Sequence, residues 1–363
     1  MKKIFTSLIV LIFLSQAAFA QIYAGVGARA AAMGGAGVAV VDDITSAYYN
    51  PAGLMRSNGH FEGLVGYGGA QQGLTDLINS ISTAGDPVTY MQDNFDNEID
   101  VSGAGSGIAG FAVNKIGVSL IPNLFLSANK PKSSAVGSLV AAGGGTLVIT
   151  AGTTLPTSGL PFTSIDIGAN VKYVASGTGS YAGYVFPGPT VISTTEVSYG
   201  TGFGFDVGAR ADVTLPITTL TIGVAWKDLL ETINYTNKIK TQSWTGGTPS
   251  TLFELPETTS SATIPSTFVV GAAGTVPGID TLITGDMEMV GGSGGTTNFR
   301  FGVEQPLALK FLVLRAGYAS GEDLAMTTLG AGFHFGMNID LAYAIDNNDS
   351  KNNSIFIDGS FAL

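Results

Sequence analysis

From about residue 165 to the last residue, apolar and polar side chains alternate at a period of two. In 165–174, Ile165, Ile167, Ala169, Val171 and Tyr173 share one parity, and Asp166, Gly168, Asn170 and Lys172 the other. In 203–213, Phe203, Phe205, Val207, Ala209, Ala211 and Val213 alternate with Gly204, Asp206, Gly208, Arg210 and Asp212. Ile222, Val224 and Trp226 oppose Lys227; Phe299, Phe301 and Val303 oppose Arg300 and Glu304. Leu312, Leu314, Ala316 and Tyr318 oppose Arg315; Leu329, Ala331, Phe333 and Phe335 oppose His334. Ile339, Leu341, Tyr343 and Ile345 oppose Asp340 and Asp346; Ile355, Ile357, Phe361 and Leu363 oppose Asp358 and Ser360. Such segments read as strands with one apolar and one polar face. Charges recur on one face while the other is almost free of them, which is the apolar-out, polar-in pattern of a membrane barrel.

Earlier strands are less regular. Segments 61–70, 108–113 and 116–126 read as strands, the last two joined tightly around Asn114 and Lys115. Segment 136–150 is either one bent strand or a small hairpin at Gly143, Gly144 and Gly145. Between the first two strands, 71–105 reads as a long polar connection. Within it Leu74, Leu77, Ile78 and Ile81 fall at the i, i+3, i+4, i+7 spacing of an amphipathic helix. If 136–150 is one strand, long connections (71–106, 127–135, 177–193, 228–263, 291–296, 321–324, 346–353) alternate with short ones (114–115, 153–161, 214–216, 277–279, 306–309, near 336). The rule has one or two soft exceptions, notably 153–161. The count closes at fourteen strands, and the boundaries also accommodate twelve or sixteen.

Composition sharpens this. Only 12% of residues are charged, about half the usual share, while glycine numbers 51 of 363. Mean hydropathy is +0.34, yet beyond the N-terminus no run approaches the ~18 apolar residues of a membrane-spanning helix. In lipid the remaining solution is a closed barrel. Lys2 and Lys3, the apolar stretch 4–14 and Ala18-Phe19-Ala20 form a secretory signal over 1–20. There is no cysteine, hence no disulfide framework. A net charge of −11 without a basic patch argues against nucleic acid as a partner.

Residues 28–55 stand apart. They are rich in alanine and glycine, carry little charge apart from Asp42 and Asp43, and end in a turn. There Pro51 lacks a donor and pushes Asn50 out of the helical region, while Gly53 permits positive φ. A compact small-residue segment with a hard stop suits packing inside something narrow.

Chemical motifs are weak. Gly25-Val26-Gly27-Ala28-Arg29-Ala30 spells a dinucleotide string without a preceding strand. Gly291-Gly292-Ser293-Gly294-Gly295 spells G-x-S-x-G in a flexible glycine turn. Two histidines, His60 and His334, are too few for a metal cluster. We therefore expect no enzyme, no catalytic residue, no metal and no cofactor. The polar-face charges Asp166, Lys172, Asp206, Arg210, Asp212, Lys227, Arg300, Glu304, Arg315, Asp340 and Asp346 are of both signs; some are expected to pair across strands or with the 28–55 segment, and their expected role is to hold that segment and satisfy the interior.

The run Arg29-Ala30-Ala31-Ala32-Met33-Gly34-Gly35-Ala36-Gly37, the pair Asp42-Asp43 and the element Asn50-Pro51-Ala52-Gly53-Leu54 resemble the N-terminal plug of FadL-like outer-membrane transporters of fatty acids and other hydrophobic compounds. The resemblance implies residues 21–58 as a plug within a barrel of 59–363 in the outer membrane of a Gram-negative cell. It implies passive uptake of a hydrophobic, fatty-acid-like ligand, with plug movement at Asn50, Pro51, Ala52 and Gly53 opening a path and a gap between strands releasing the ligand sideways. It further implies a landing groove on the helical face Leu74, Leu77, Ile78 and Ile81, with Trp244, Leu252, Phe253 and Leu255 beside it. Partners are then membrane lipids and a hydrophobic ligand. Related PorV-type barrels of the type IX secretion system give the alternative, a barrel that binds or shuttles secreted proteins. In sum, the expectation is an all-β transmembrane antiparallel barrel of about fourteen strands with an internal N-terminal plug.

Overall fold

A computed structural model describes residues 25–57, 59–70, 79, 83, 96–132, 136–184, 190–245, 248–292, 294–307, 310–322 and 324–363. Fourteen long strands form the wall: β1 (Phe61–Ala70), β2 (Ile99–Val113), β3 (Ile116–Lys130), β4 (Val136–Leu155), β5 (Ser164–Tyr184), β6 (Thr190–Thr214), β7 (Thr219–Thr245), β8 (Thr267–Val276), β9 (Thr281–Val290), β10 (Thr297–Leu307), β11 (Leu312–Ser320), β12 (Ala325–His334), β13 (Asn338–Asp346) and β14 (Ser354–Ala362). Each pairs antiparallel with the next. The sheet closes where β14 meets β1, from Glu62 opposite Ala362 to Ala70 opposite Ser354. Closure leaves no free barrel edge, which satisfies the backbone without water.

The alternation read from the sequence is the wall's inside-outside alternation. Outward side chains form an apolar band, with Val65 68%, Phe203 61% and Phe301 54% exposed, while their neighbours Leu64 and Asp206 are buried. Continuous apolar exposure of this kind suits hydrocarbon. Asn114 and Lys115 take φ of 48° and 70°, making the two-residue hairpin turn that the right-handed strand twist favours.

Of the two readings of 136–150, one strand is right: 136–155 is continuous, with Gly143, Gly144 and Gly145 paired to Leu124, Asn123 and Pro122. Several strands run further into the expected connections. β2 begins at Ile99, inside 71–106, where Ile99 and Val101 alternate with Asp100 and Ser102 for only four residues before small residues follow. β3 runs to Lys130, inside 127–135, and the 177–193 connection shrinks because β5 runs to Tyr184 and β6 begins at Thr190. Much of 228–263 is also not a loop. β7 runs 27 residues to Thr245, and Thr258–Thr263 folds back to pair with it from Thr258 opposite Asn237 to Thr263 opposite Thr232. A spanning strand needs only about 9–11 residues, so β5 to β7 stand well clear of the apolar band. Out there both faces meet water, and Thr232, Asn234, Thr236, Lys238 and Lys240 erase the apolar signal that marks a strand.

Residues 25–57 lie inside the barrel. They form α1 (Ala28–Ala31), α2 (Ser46–Tyr49) and a 3-10 turn, Pro51–Arg56. Ala31, Ala32, Ala36, Ala39 and Ala52 are fully buried. Only side chains this short let two helical turns and their connections fit within the ring of inward-facing residues. The segment therefore is the expected internal plug.

Candidate functional site: a seated plug and an interrupted wall

The wall is cut to fit the plug backbone. A Cβ added at Gly168, Gly208, Gly223, Gly302, Gly317 or Gly330 would run into Pro51, Asn50, Val38, Met33, Gly34 or Ala32 respectively. These inward glycines, spread over β5, β6, β7, β10, β11 and β12, leave room where a side chain would push the plug out. Polar side chains then grip the plug's backbone. The Asp286 carboxylate accepts from Gly37 N (2.7 Å) and Val38 N (3.0 Å), Glu62 from Ile44 N (2.8 Å) and Asp358 from Ala28 N (2.5 Å). Thr328 accepts from Gly34 N (2.9 Å) and donates to Ala32 O (2.9 Å). Asn170 donates to Ala47 O, Arg210 to Val41 O and Arg300 to Gly34 O. A short plug leaves many backbone groups without helical partners, and the wall supplies them.

Ion pairs lock both ends. Arg29 binds Asp42 at 2.8 Å within the plug and Glu304 at 2.9 Å on β10. Arg315 joins Glu304 (2.7 Å) to Asp340. Arg56, at the end of the 3-10 turn, binds Asp166 and Asp212 (2.6 Å). Lys227 lies 5.0 Å from the centre of the Tyr48 ring and 3.8 Å from Glu288, which also pairs with Arg300. In the plug, burial and the neighbouring Asp42 push the Asp43 carboxyl above its usual range, although Thr45 N donates to it at 2.8 Å.

The wall is broken at one level of β7. Its register with β6 slips twice: Val207 faces Trp226, Phe205 faces Leu229 and Phe203 faces Thr232. The extra residues include Asp228 and Leu230 in left-handed conformations (φ 60° and 55°), a strained choice for non-glycine residues. On the other edge the ladder to β8 ends at Lys227 opposite Thr267 and resumes only at Thr232 opposite Thr263. Between them Pro265 has no donor to offer, and Ile264 N to Glu231 O (2.9 Å) bridges the gap. Outside this level, Trp226, Ser266, Phe268, Met289, Val290 and Gly291 line a depression of about 350 Å³. Inside it, Lys172 is held by Asp206 (2.9 Å), Glu231 (2.7 Å) and Asp228. Leu230, 84% exposed, points away from the barrel.

Sequence expectations divide clearly against this geometry. Asn50 is fully buried: its amide donates to Val38 O (2.8 Å) and Ala209 O (3.1 Å), and its Oδ1 accepts from Ala52 N (3.1 Å). Pro51 and Ala52 pack on Gly168, and Gly53 on Val41. These four residues stand together at the contact of plug with β5 and β6. Leu74, Leu77, Ile78 and Ile81 lie outside the described residues. Leu252, Phe253 and Leu255 are exposed on the returning segment, and Trp244 sits near the tip of β7. Of the polar-face charges, Asp346 is a correction. It accepts from Asn348 N (2.8 Å) and Asn352 Nδ2 (3.0 Å) in its own turn and does not hold the plug, since β13 ends there. The others face inward as expected. Sequence reasoning missed Glu62, Asp286 and Glu288, although their alternation within otherwise apolar segments was a legible signal.

The nucleotide-like glycines, Gly25 and Gly27, only turn the chain into α1, with φ of 112° and 83°. Beside the 291–295 string, Val290 N donates to Thr296 O (2.9 Å) and Gly291 N to Ser266 O (2.8 Å), and Ser293 lies outside the described residues. His334 lies 3.7 Å from Asp340. Among the described residues no cluster of three His, Asp or Glu is arranged to hold a metal.

A closed fourteen-strand antiparallel barrel with its N-terminal segment seated inside defines the class by fold: a FadL-like barrel. Solved structures agree. The Ralstonia pickettii toluene transporter TbuX matches with TM-score 0.58 at 13% identity, over 93% of this chain and 97% of that one. The Pseudomonas putida toluene transporter TodX matches at 0.59 and 12%, over 93% and 99%. A Pseudomonas aeruginosa FadL homologue matches at 0.62 and 11%, over 96% and 99%. At such identities the likeness establishes the fold. No family model and no curated protein matches the sequence.

Proposed function

We propose that this chain is an outer-membrane channel for passive uptake of hydrophobic small molecules. The observation that carries the reading is the wall interruption at Asp228–Glu231, set beside a lumen that the plug fills. Residues 25–57 occupy the lumen, so in this reading the ligand leaves sideways, where the β7 ladder lapses between Lys227 and Thr232 and an apolar depression lies outside. An apolar ligand gains about 0.8 kcal/mol per CH₂ buried, so partitioning from the mouth to the membrane needs no energy source. The transporters of like fold are described as carrying toluene or other monoaromatic hydrocarbons, which supports the class of cargo. In this reading Asn50, Pro51, Ala52 and Gly53 are the part of the plug that shifts. Leu74, Leu77, Ile78 and Ile81 make the landing groove. Membrane lipids bathe the apolar band.

The test is uptake by proteoliposomes together with native mass spectrometry of the detergent-purified protein. A co-purified apolar molecule, and uptake slowed by Ser266→Trp at the depression with binding retained, support the channel. Empty protein tightly bound to a secreted partner would replace it with the docking role.

A further inference from the structure

We infer that the channel takes uncharged hydrophobic compounds and rejects their carboxylate analogues; this rests on the uptake reading above and names its substrate class. A pore that accepts anions offers them unpaired cations, commonly arginine or lysine. Here all but one of the inward cations are paired. Arg29, Arg56, Lys172, Arg300 and Arg315 each hold at least one carboxylate within ion-pair distance, and Lys172 holds three. Lys227 sits between Glu288 and the Tyr48 ring. Arg210 is the exception: among the described residues it has no carboxylate within ion-pair distance, but it is held against the plug, donating to Val41 O at 2.7 Å.

At the mouth carrying the long connections, Asp96 and Glu98 are exposed, and the 346–353 connection sets Lys351 beside Asp346 and Asp349 in sequence. Lys238 is paired with Glu257 (2.6 Å) and Lys240 with Glu254 (2.5 Å). Lys130 is buried, its ammonium donating to Asn97 O (2.8 Å). Lys132 is exposed at the rim, where water and salt screen it. At the wall interruption a ligand meets Asp206, Asp228 and Glu231 around a single lysine. A carboxylate head would shed hydration with no counter-charge to receive it and would face like charge at each stage. A neutral head meets no such penalty. Discrimination of this sort works by repelling the wrong ligand.

The experiment is isothermal titration of the full-length protein in uncharged detergent at pH 8, using 1-octanol, octanoate and octylammonium. The three share an apolar tail and differ in charge. Octanol should bind at least tenfold more tightly than octanoate in 20 mM salt, and the gap should narrow in 500 mM salt. Octanoate binding within threefold of octanol, or octylammonium binding most tightly, would overturn the inference while leaving the uptake reading in place. Failure of all three to bind would remove the uptake reading itself, and this inference with it.

Discussion

Gly34 is where the plug is most sharply committed to its seat. It takes φ +70°, its N donates to Thr328, and its carbonyl accepts from Arg300. A Cβ added there would lie 2.7 Å from Tyr318 O and 2.9 Å from Phe301 O, both main-chain atoms of the wall. Ordinary contact begins at 3.4 Å, so Gly34→Ala forces several tenths of an ångström of movement against two strands that cannot yield alone. The left-handed backbone costs alanine about 1–2 kcal/mol, and overpacking adds about 1–3 kcal/mol. Taking about 3 kcal/mol together, the unseated fraction of the plug should rise about a hundredfold. Trypsin reads this directly, because Arg29 is cleavable only when the plug leaves the lumen, and nicking follows the open population when reseating is fast. The control is Gly159→Ala, which bears a similar φ of +82° with nothing within 4 Å of its Cβ. It incurs the backbone strain without the collision. Wild-type nicking rates for Gly34→Ala, or equal acceleration by Gly159→Ala, would refute the idea that the wall seats the plug by close backbone approach.

Arg56→Met leaves Asp166 and Asp212 without their shared cation and should destabilise the folded barrel by about 3 kcal/mol, visible as a lower urea midpoint in detergent. Asp43 gives a pH dependence of defined sign. Its carboxyl is raised in the seated plug, so the seated state holds the proton more tightly than the free segment, and seating strengthens as pH falls through the raised value towards the ordinary one. Wild-type plug protection against trypsin should therefore increase on mild acidification, and Asp43→Asn should flatten that slope; an unchanged slope contradicts the assignment. Leu230→Gly removes left-handed strain at φ 55° and should stabilise the β7 bulge by about 1 kcal/mol, measured by thermal unfolding.

Most of the wall was legible because a spanning strand must show lipid one face and the lumen the other. Phe203, Phe205 and Val207 against Asp206 and Arg210 show that asymmetry, which a half-buried strand of a soluble sheet shares; its repetition to the end of the chain with so few charges favours the barrel. Legibility fails where that asymmetry ends. Residues 233–245 rise beyond the apolar band, where one parity is Asn234, Thr236, Lys238 and Lys240 and the other mixes Ile233, Tyr235 and Ile239 with Asn237 and Thr241, so the far part of a 27-residue strand reads as a loop. It also fails at 99–105, where the alternation of Ile99 and Val101 with Asp100 and Ser102 is too short to mark a strand. The plug was recognisable as a small-residue unit ended by Asn50 and Pro51, but its seat was not, because Gly208 and Gly317 are informative only once the atoms opposite them are known. Nor does any local pattern announce the wall interruption. Asp228 and Leu230 are ordinary residue types, and the break arises from two register slips against β6 combined with Pro265 across the gap.

How the plug is held bears on whether it can move. Part of its grip is hydrogen bonding: plug N–H groups donate to Asp286, Glu62, Asp358 and Thr328, and Asn170 donates to Ala47 O. Each such bond contributes only about 0.5–1.5 kcal/mol net, or about 1.5–3 where a charged group takes part, because water replaces it when it breaks. The plug is not uniform in this respect. Ile44, Leu54 and Met55 pack against Leu64, Ile108, Ile121 and Val148 of the wall and would expose apolar area on leaving, whereas Ala31, Ala32 and Ala36 carry little such area. The segment at Asn50 is held by three side-chain hydrogen bonds, two of them to Val38 O and Ala52 N within the plug itself and one to Ala209 O on the wall. Asn50→Ala should therefore free the turn from β6 while Asp286 and Asp358 keep the rest of the plug seated. In proteoliposomes the variant should raise the rate of octanol uptake without admitting ions. Ion leakage equal to that of a plug-deleted barrel would mean that the turn holds the whole plug, and uptake at the wild-type rate would mean that it is not the part that moves.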